Sequence, residues 1–66
     1  MNKKVIKYIS LRSGCGLSTK SPEQILREEG SNNVQYVRDA TAKDVEWIRA
    51  MGGYVPDGRI VGKEMS

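Results

Sequence analysis

Sixty-six residues with one cysteine, Cys15, and no histidine must fold without a covalent or metal staple. A single thiol cannot close an intramolecular disulfide, and the lack of histidine removes the usual nitrogen ligands of a structural zinc site. A chain this short buries a smaller fraction of its surface than a larger one, so its stability is marginal and must come from its core or from association. One domain over residues 1–66 is expected, assembled as a homodimer, since closed twofold symmetry is the commonest form. Residues 1–2 and 63–66 show no hydrophobic periodicity and are expected to fray.

Lys3 to Leu11 reads as a strand, because Val5, Ile6, Tyr8 and Ile9 are β-favouring and no helical stripe fits them better. Alternation puts Val5, Lys7, Ile9 and Leu11 on one face and Lys4, Ile6, Tyr8 and Ser10 on the other. Both faces are apolar at the centre, which places this strand in the middle of a sheet or at an edge that a dimer covers. Arg12 to Lys20, with two glycines and several hydroxyls, reads as a loop.

A helix follows. Ser21 is a good N-cap, Pro22 suits the first helical position, Gln24 completes a capping box, and Gly30 is a natural stop. Ile25 and Leu26 are its expected inward residues. Ser31-Asn32-Asn33 turns the chain into the strand Val34 to Arg38, with Val34 and Tyr36 on one face and Val37 on the other. Thr41 caps the next helix, supported by Asp44 at its third position, where a carboxylate complements the helix dipole. Val45, Ile48 and Met51 form its apolar stripe, Trp47 flanks the stripe, and Gly52-Gly53 ends it. Tyr54 to Val61, centred on Pro56-Asp57-Gly58, reads as a small hairpin or as a turn into a final strand. The fold class is therefore α+β, or small α/β: a two-layer domain of two or three strands with two short helices. The expected order is strand, helix, strand, helix, then strand or hairpin.

Charge is lopsided along this frame. Residues 1–20 carry five basic side chains (Lys3, Lys4, Lys7, Arg12, Lys20) and no acidic one, while residues 21–66 carry six basic and eight acidic. Such a segment is a candidate surface for a polyanion or an acidic partner, or a solvated edge that keeps the chain soluble. The basic start is followed by Val5 to Leu11, interrupted by Lys7 and far too short for a signal-peptide core or a membrane span. A cytoplasmic protein without membrane contact is expected.

The residues leave little room for catalysis. Cys15 lies between two glycines near Arg12, but a nucleophilic cysteine needs a base, and no histidine is present to serve. Asp39, Asp44 and Asp57 fall at no metal-ligand spacing, and Glu23, Glu28, Glu29 and Glu46 sit where a solvated helix face would put them. Neither an enzyme nor a cofactor or metal protein is expected. Gly14, Gly16 and Ser21, flanked by Arg12 and Lys20, form a possible anion loop before a helix start, although the spacing matches no nucleotide-binding pattern.

Two macromolecular readings remain. Lys3, Lys4, Lys7, Arg12 and Lys20 are candidates for nucleic-acid contact, with Tyr8 beside Lys7, and Tyr36 near Arg38, able to stack on bases. The capped helix with Trp47-Ile48-Arg49 and the turn after it, Thr41 to Gly58, distantly resembles the recognition helix and wing of excisionase-type winged-helix proteins, a likeness that implies DNA binding. Trp47, Met51 and Tyr54 are candidates for an apolar protein interface, being of types enriched there. The leading expectation is a small non-catalytic protein that binds another macromolecule, a protein ahead of nucleic acid, and modulates or inhibits it. In size and composition the chain resembles accessory and inhibitor proteins of phages and mobile elements.

Overall fold

The computed structural model describes residues 4–63. A strand β1 (Lys7–Leu11) turns through Arg12-Ser13 into β2 (Gly14–Ser18), followed by α1 (Pro22–Glu29), β3 (Val34–Asp39) and α2 (Ala42–Ala50). The three strands form one antiparallel sheet in the order β2-β1-β3, so β1 is central, as its two apolar faces require. The fold is a small α+β domain.

Directly paired residues on neighbouring strands share a face, which sorts the core. Tyr8 pairs with Leu17 and Arg38, whereas Ile9 pairs with Gly16 and Val37 on the opposite side. The main two-layer core joins Ile6 and Leu17 of the first face to Ala40 and to Val45 and Ile48 of α2, with Tyr8 and Val55 packed against it. Ile9 lies outside that cluster, is buried from the other side, and lines one groove together with Ile25 of α1. Each helix therefore covers a different face of the sheet.

Local signals set both helices. Ser21 accepts from the Gln24 amide at 3.3 Å, Pro22 occupies the first turn and the Gly30 amide closes on the Leu26 carbonyl. Thr41 and Asp44 form a complete capping box: the Asp44 amide donates to Thr41 Oγ1 at 3.1 Å and the Thr41 amide donates to Asp44 Oδ2 at 2.8 Å.

Several expectations are corrected. The loop foreseen over residues 12–20 is a hairpin arm, because β1 supplies in-register backbone partners that glycine's weak strand preference cannot announce locally. Gln35 is the extra residue of a bulge opposite the Ser10–Leu11 step, so Tyr36 shares a face with Ser10 while Val34 shares the other with Leu11. Val34 and Tyr36 thus point oppositely. Leu26 is 40 % exposed, leaving Ile25 as the buried anchor of α1, and Met51, the C-cap of α2, is 55 % exposed because the helical rotation sets it beside Trp47 and not in line with Val45. Residues 54–61 form no hairpin and hence no wing. They run back to one parallel bridge, Val5 to Arg59, held by Ile6 N–H to the Arg59 carbonyl and Arg59 N–H to the Lys4 carbonyl, each 2.9 Å. Among the described residues no helix is long and apolar enough to cross a membrane.

Candidate functional site

The basic residues do not act as one free patch. Lys3 lies outside the described residues. Lys7 Nζ donates to Asp39 Oδ1 at 2.7 Å across the β1–β3 pair, and Lys20 Nζ bridges to Glu28 of α1, which holds the Glu28 carboxyl below the usual range. Both pairs are exposed to solvent, so they tie down charge more than they add stability. Lys4 and Arg12 are exposed, Arg12 at the tip of the β1–β2 hairpin, where its amide donates to the Asn33 carbonyl at 2.8 Å. Lys4, Lys7 and Lys20 do line one groove with Ser21, Pro22 and Gln24.

The anion loop is not formed. Gly14 and Gly16 are strand residues paired with Leu11 and Ile9, and Ser21 spends its hydroxyl on the α1 cap. The peptide groups of Gly14 and Gly16 are already part of the ladder with β1. Cys15 is a free, exposed thiol on the same strand, and among the described residues no three histidine, cysteine or acidic side chains gather as a metal set.

One aromatic and cationic cluster is tightly built. The guanidinium of Arg38 stands 4.4 Å above the Tyr8 ring, and Tyr8 and Tyr36 lie 6.2 Å apart at a 34° tilt. Arg38 also grips Asp44 with two bonds, 2.6 Å to Oδ2 and 3.1 Å to Oδ1. This clamp joins β3 to the start of α2. It holds the Asp44 carboxyl below its ordinary range, chiefly through the Arg38 hydrogen bonds, with help from Thr41, and raises the Arg38 guanidinium; burial pushes the Tyr8 phenol up. The stacking face expected of Tyr8 is thus occupied by Arg38.

Stability follows pH through that clamp. Because the folded pKa of Asp44 lies below its unfolded value, the contribution is complete above the unfolded carboxylate range, about pH 4, and is lost as pH falls through the folded value. Asp44→Asn keeps the size and the capping amide partner but removes the charge. Urea unfolding should show it less stable than wild type by about 1–2 kcal/mol at pH 7, with the gap shrinking below pH 4. A gap independent of pH would mean that the charge of Asp44 does not matter.

The three apolar candidates are all at the surface but do not make one patch. Trp47 is 63 % exposed and lines a shallow depression with Lys43, Asp44, Glu46 and Ala50. Met51 follows it one turn later, its amide donating to the Trp47 carbonyl at 3.1 Å. Tyr54, 75 % exposed, lies beyond the Gly52-Gly53 reversal and lines instead the groove along β2 with Cys15, Gly16 and Leu17. The Arg38–Asp44 clamp and the groove beside β2 were missed by sequence reasoning. The clamp was visible only as an acidic helix start near an arginine, and the groove required knowing that β2 is a strand.

No family model, curated protein or solved structure matches the chain.

Proposed function

We propose that this protein is a small, non-catalytic interaction module that docks on another protein through the exposed side of α2 and modulates or inhibits that partner. The observation that carries this reading is Trp47, 63 % exposed on a helix whose core contacts are made by Val45 and Ile48. Most of the indole lies outside the core. Tryptophan and methionine are enriched at interface centres, and the polar residues around Trp47 have the make-up of an interface rim. The style is that of phage and mobile-element accessory proteins.

Trp47→Lys tests it. The variant should unfold within about 0.5 kcal/mol of wild type, as surface changes do, while a partner purified after capture by the wild-type chain should bind it at least about thirtyfold more weakly, the scale of an interface anchor. Equal affinity for both proteins would rule out this surface.

A second reading, nucleic-acid binding, is favoured by the groove that gathers Lys4, Lys7 and Lys20. Its counter-charges Asp39 and Glu28 make it the weaker of the two. Adding a mixed pool of short DNA and RNA to the same titrations separates them, since binding through phosphates collapses with salt.

A further inference from the structure

The sheet has two free edges, and they differ in kind. β3 is defended: it carries the bulge at Gln35 and the charged Arg38 and Asp39 near its end. β2, Gly-Cys-Gly-Leu-Ser, has no charge, no proline and no bulge. The ladder phase shows which of its groups are unpaired. The Arg12 amide points to Asn33 on the β3 side and the Ala40 amide reaches the Ile6 carbonyl, so even-numbered residues of β1 address β3 and odd-numbered ones address β2. Lys7, Ile9 and Leu11 therefore bond Ser18, Gly16 and Gly14, which leaves the peptide groups of Cys15 and Leu17 directed outward. Among the described residues no backbone hydrogen bond reaches them from outside the sheet.

We infer that this edge is a dimer interface: two copies pair β2 to β2, antiparallel about Gly16, making one six-stranded sheet. In that register Cys15 of each copy exchanges both peptide bonds with Leu17 of the other, so all four outward groups on each strand side are used. Shifting the centre to Cys15 or Leu17 uses fewer groups within the strand. The strand carries no charge that could repel its own copy. Its flanks are complementary: the exposed Arg12 of one copy arrives beside Lys20 of the other, whose groove also presents Glu28, Glu29 and the exposed ring of Tyr54. With Lys20 and Glu28 paired to each other, Glu29 is the acidic group left for the arginine, beside the aromatic face of Tyr54. Tyr54 adds apolar area that bare strands lack. A stable interface takes about 800 Å² from each partner, roughly a sixth of this chain's 4979 Å² accessible surface.

Light scattering over a dilution series tests it. The wild type should show twice the 7.4 kDa chain mass and dissociate on dilution. Cys15→Pro removes an outward amide and no ladder bond, and should be monomeric where wild type is dimeric. Arg12→Glu, at the hairpin tip, should weaken the dimer about tenfold and serves if the proline variant does not fold. Register is read separately. A Cβ at position 16 meets nothing within 4 Å in the protomer, and residues facing each other in a non-hydrogen-bonded pair stand about 4.5 Å apart at Cα, within disulfide reach. The double variant C15S/G16C should therefore cross-link on mild oxidation at least tenfold faster than wild-type Cys15, which faces Leu17. A wild-type monomer at every concentration, a dimer indifferent to both Cys15→Pro and Arg12→Glu, or faster cross-linking through Cys15 overturns the inference. Trp47→Lys should leave this dimer intact, so the docking surface on α2 stands or falls independently.

Discussion

Ile48→Ala should remove about 2–5 kcal/mol of stability, a loss in the top range for a single truncation. A domain of this size has on the order of 3–10 kcal/mol in total, so the variant should lose a fifth or more of it and melt about 10 °C or more lower. The cause is the position of Ile48 in the main core. It packs with Ile6, Leu17, Ala40 and Val45, and its exposure is only 3 %. The chain cannot readily collapse into the space left behind. Directly after α2 the backbone reverses over this residue, the Gly53 amide donating to the Ile48 carbonyl at 2.9 Å, and a Cβ built on Gly53 would stand 2.8 Å from Ile48 Cγ2. The lid is backbone, fixed by that bond. Urea denaturation should show a lower midpoint with an unchanged slope. Met51→Ala, one step further along the expected stripe but 55 % exposed, should change the midpoint little. Equal losses at the two positions would mean that the core is not organised around α2 in this way.

The contrast between Ile48 and Met51 illustrates what the sequence could and could not disclose. Periodicity correctly ran through Val45 and Ile48, but each step of three residues rotates by about 300° and not a full turn, so Met51 ends up beside the exposed Trp47. Helix starts were legible because a cap is local chemistry: Ser21 accepts from the Gln24 amide and Thr41 exchanges bonds with Asp44, although of the capping box expected at Ser21 and Gln24 only the Ser21 half forms. The central place of β1 was legible from two apolar faces. β2 was not, since Gly14, Cys15 and Gly16 have little strand preference and become a strand only through pairing with β1. The bulge at Gln35 was equally hidden, and with it the true faces of Val34 and Tyr36. For the candidate sites the same divide holds. Residue types pointed to Trp47 as a contact, whereas the neutralising partners of Lys7 and Lys20 are thirty-two and eight residues away in the chain and emerge only with the fold.

Gly58→Ala is expected to be nearly as damaging as the loss of Ile48, for a reason opposite to that of a turn glycine. Pro56-Asp57-Gly58 suggests a turn in which the glycine supplies positive φ, yet the glycines with positive φ are Gly14, Gly30 and Gly52. Gly58 is needed for close approach. A Cβ there would stand 2.6 Å from the Lys4 carbonyl oxygen, 2.8 Å from Ile6 Cγ1 and 3.1 Å from Thr19 Cγ2. The first of these is backbone and the second belongs to a core residue, so neither can move aside cheaply. The returning segment would have to lift, stretching the two 2.9 Å bonds that hold Arg59 to Lys4 and Ile6. Overpacking and two weakened backbone bonds together cost about 2–4 kcal/mol. Gly16→Ala, in open space, is the matched control and should cost less than about 1 kcal/mol. Hydrogen exchange should also localise the damage, with the Ile6 and Arg59 amides losing protection before those of β1 and β3. If Gly58→Ala and Gly16→Ala unfold at the same urea concentration, residues 57–59 do not press on the start of the central strand, and the parallel bridge contributes nothing to closing the core.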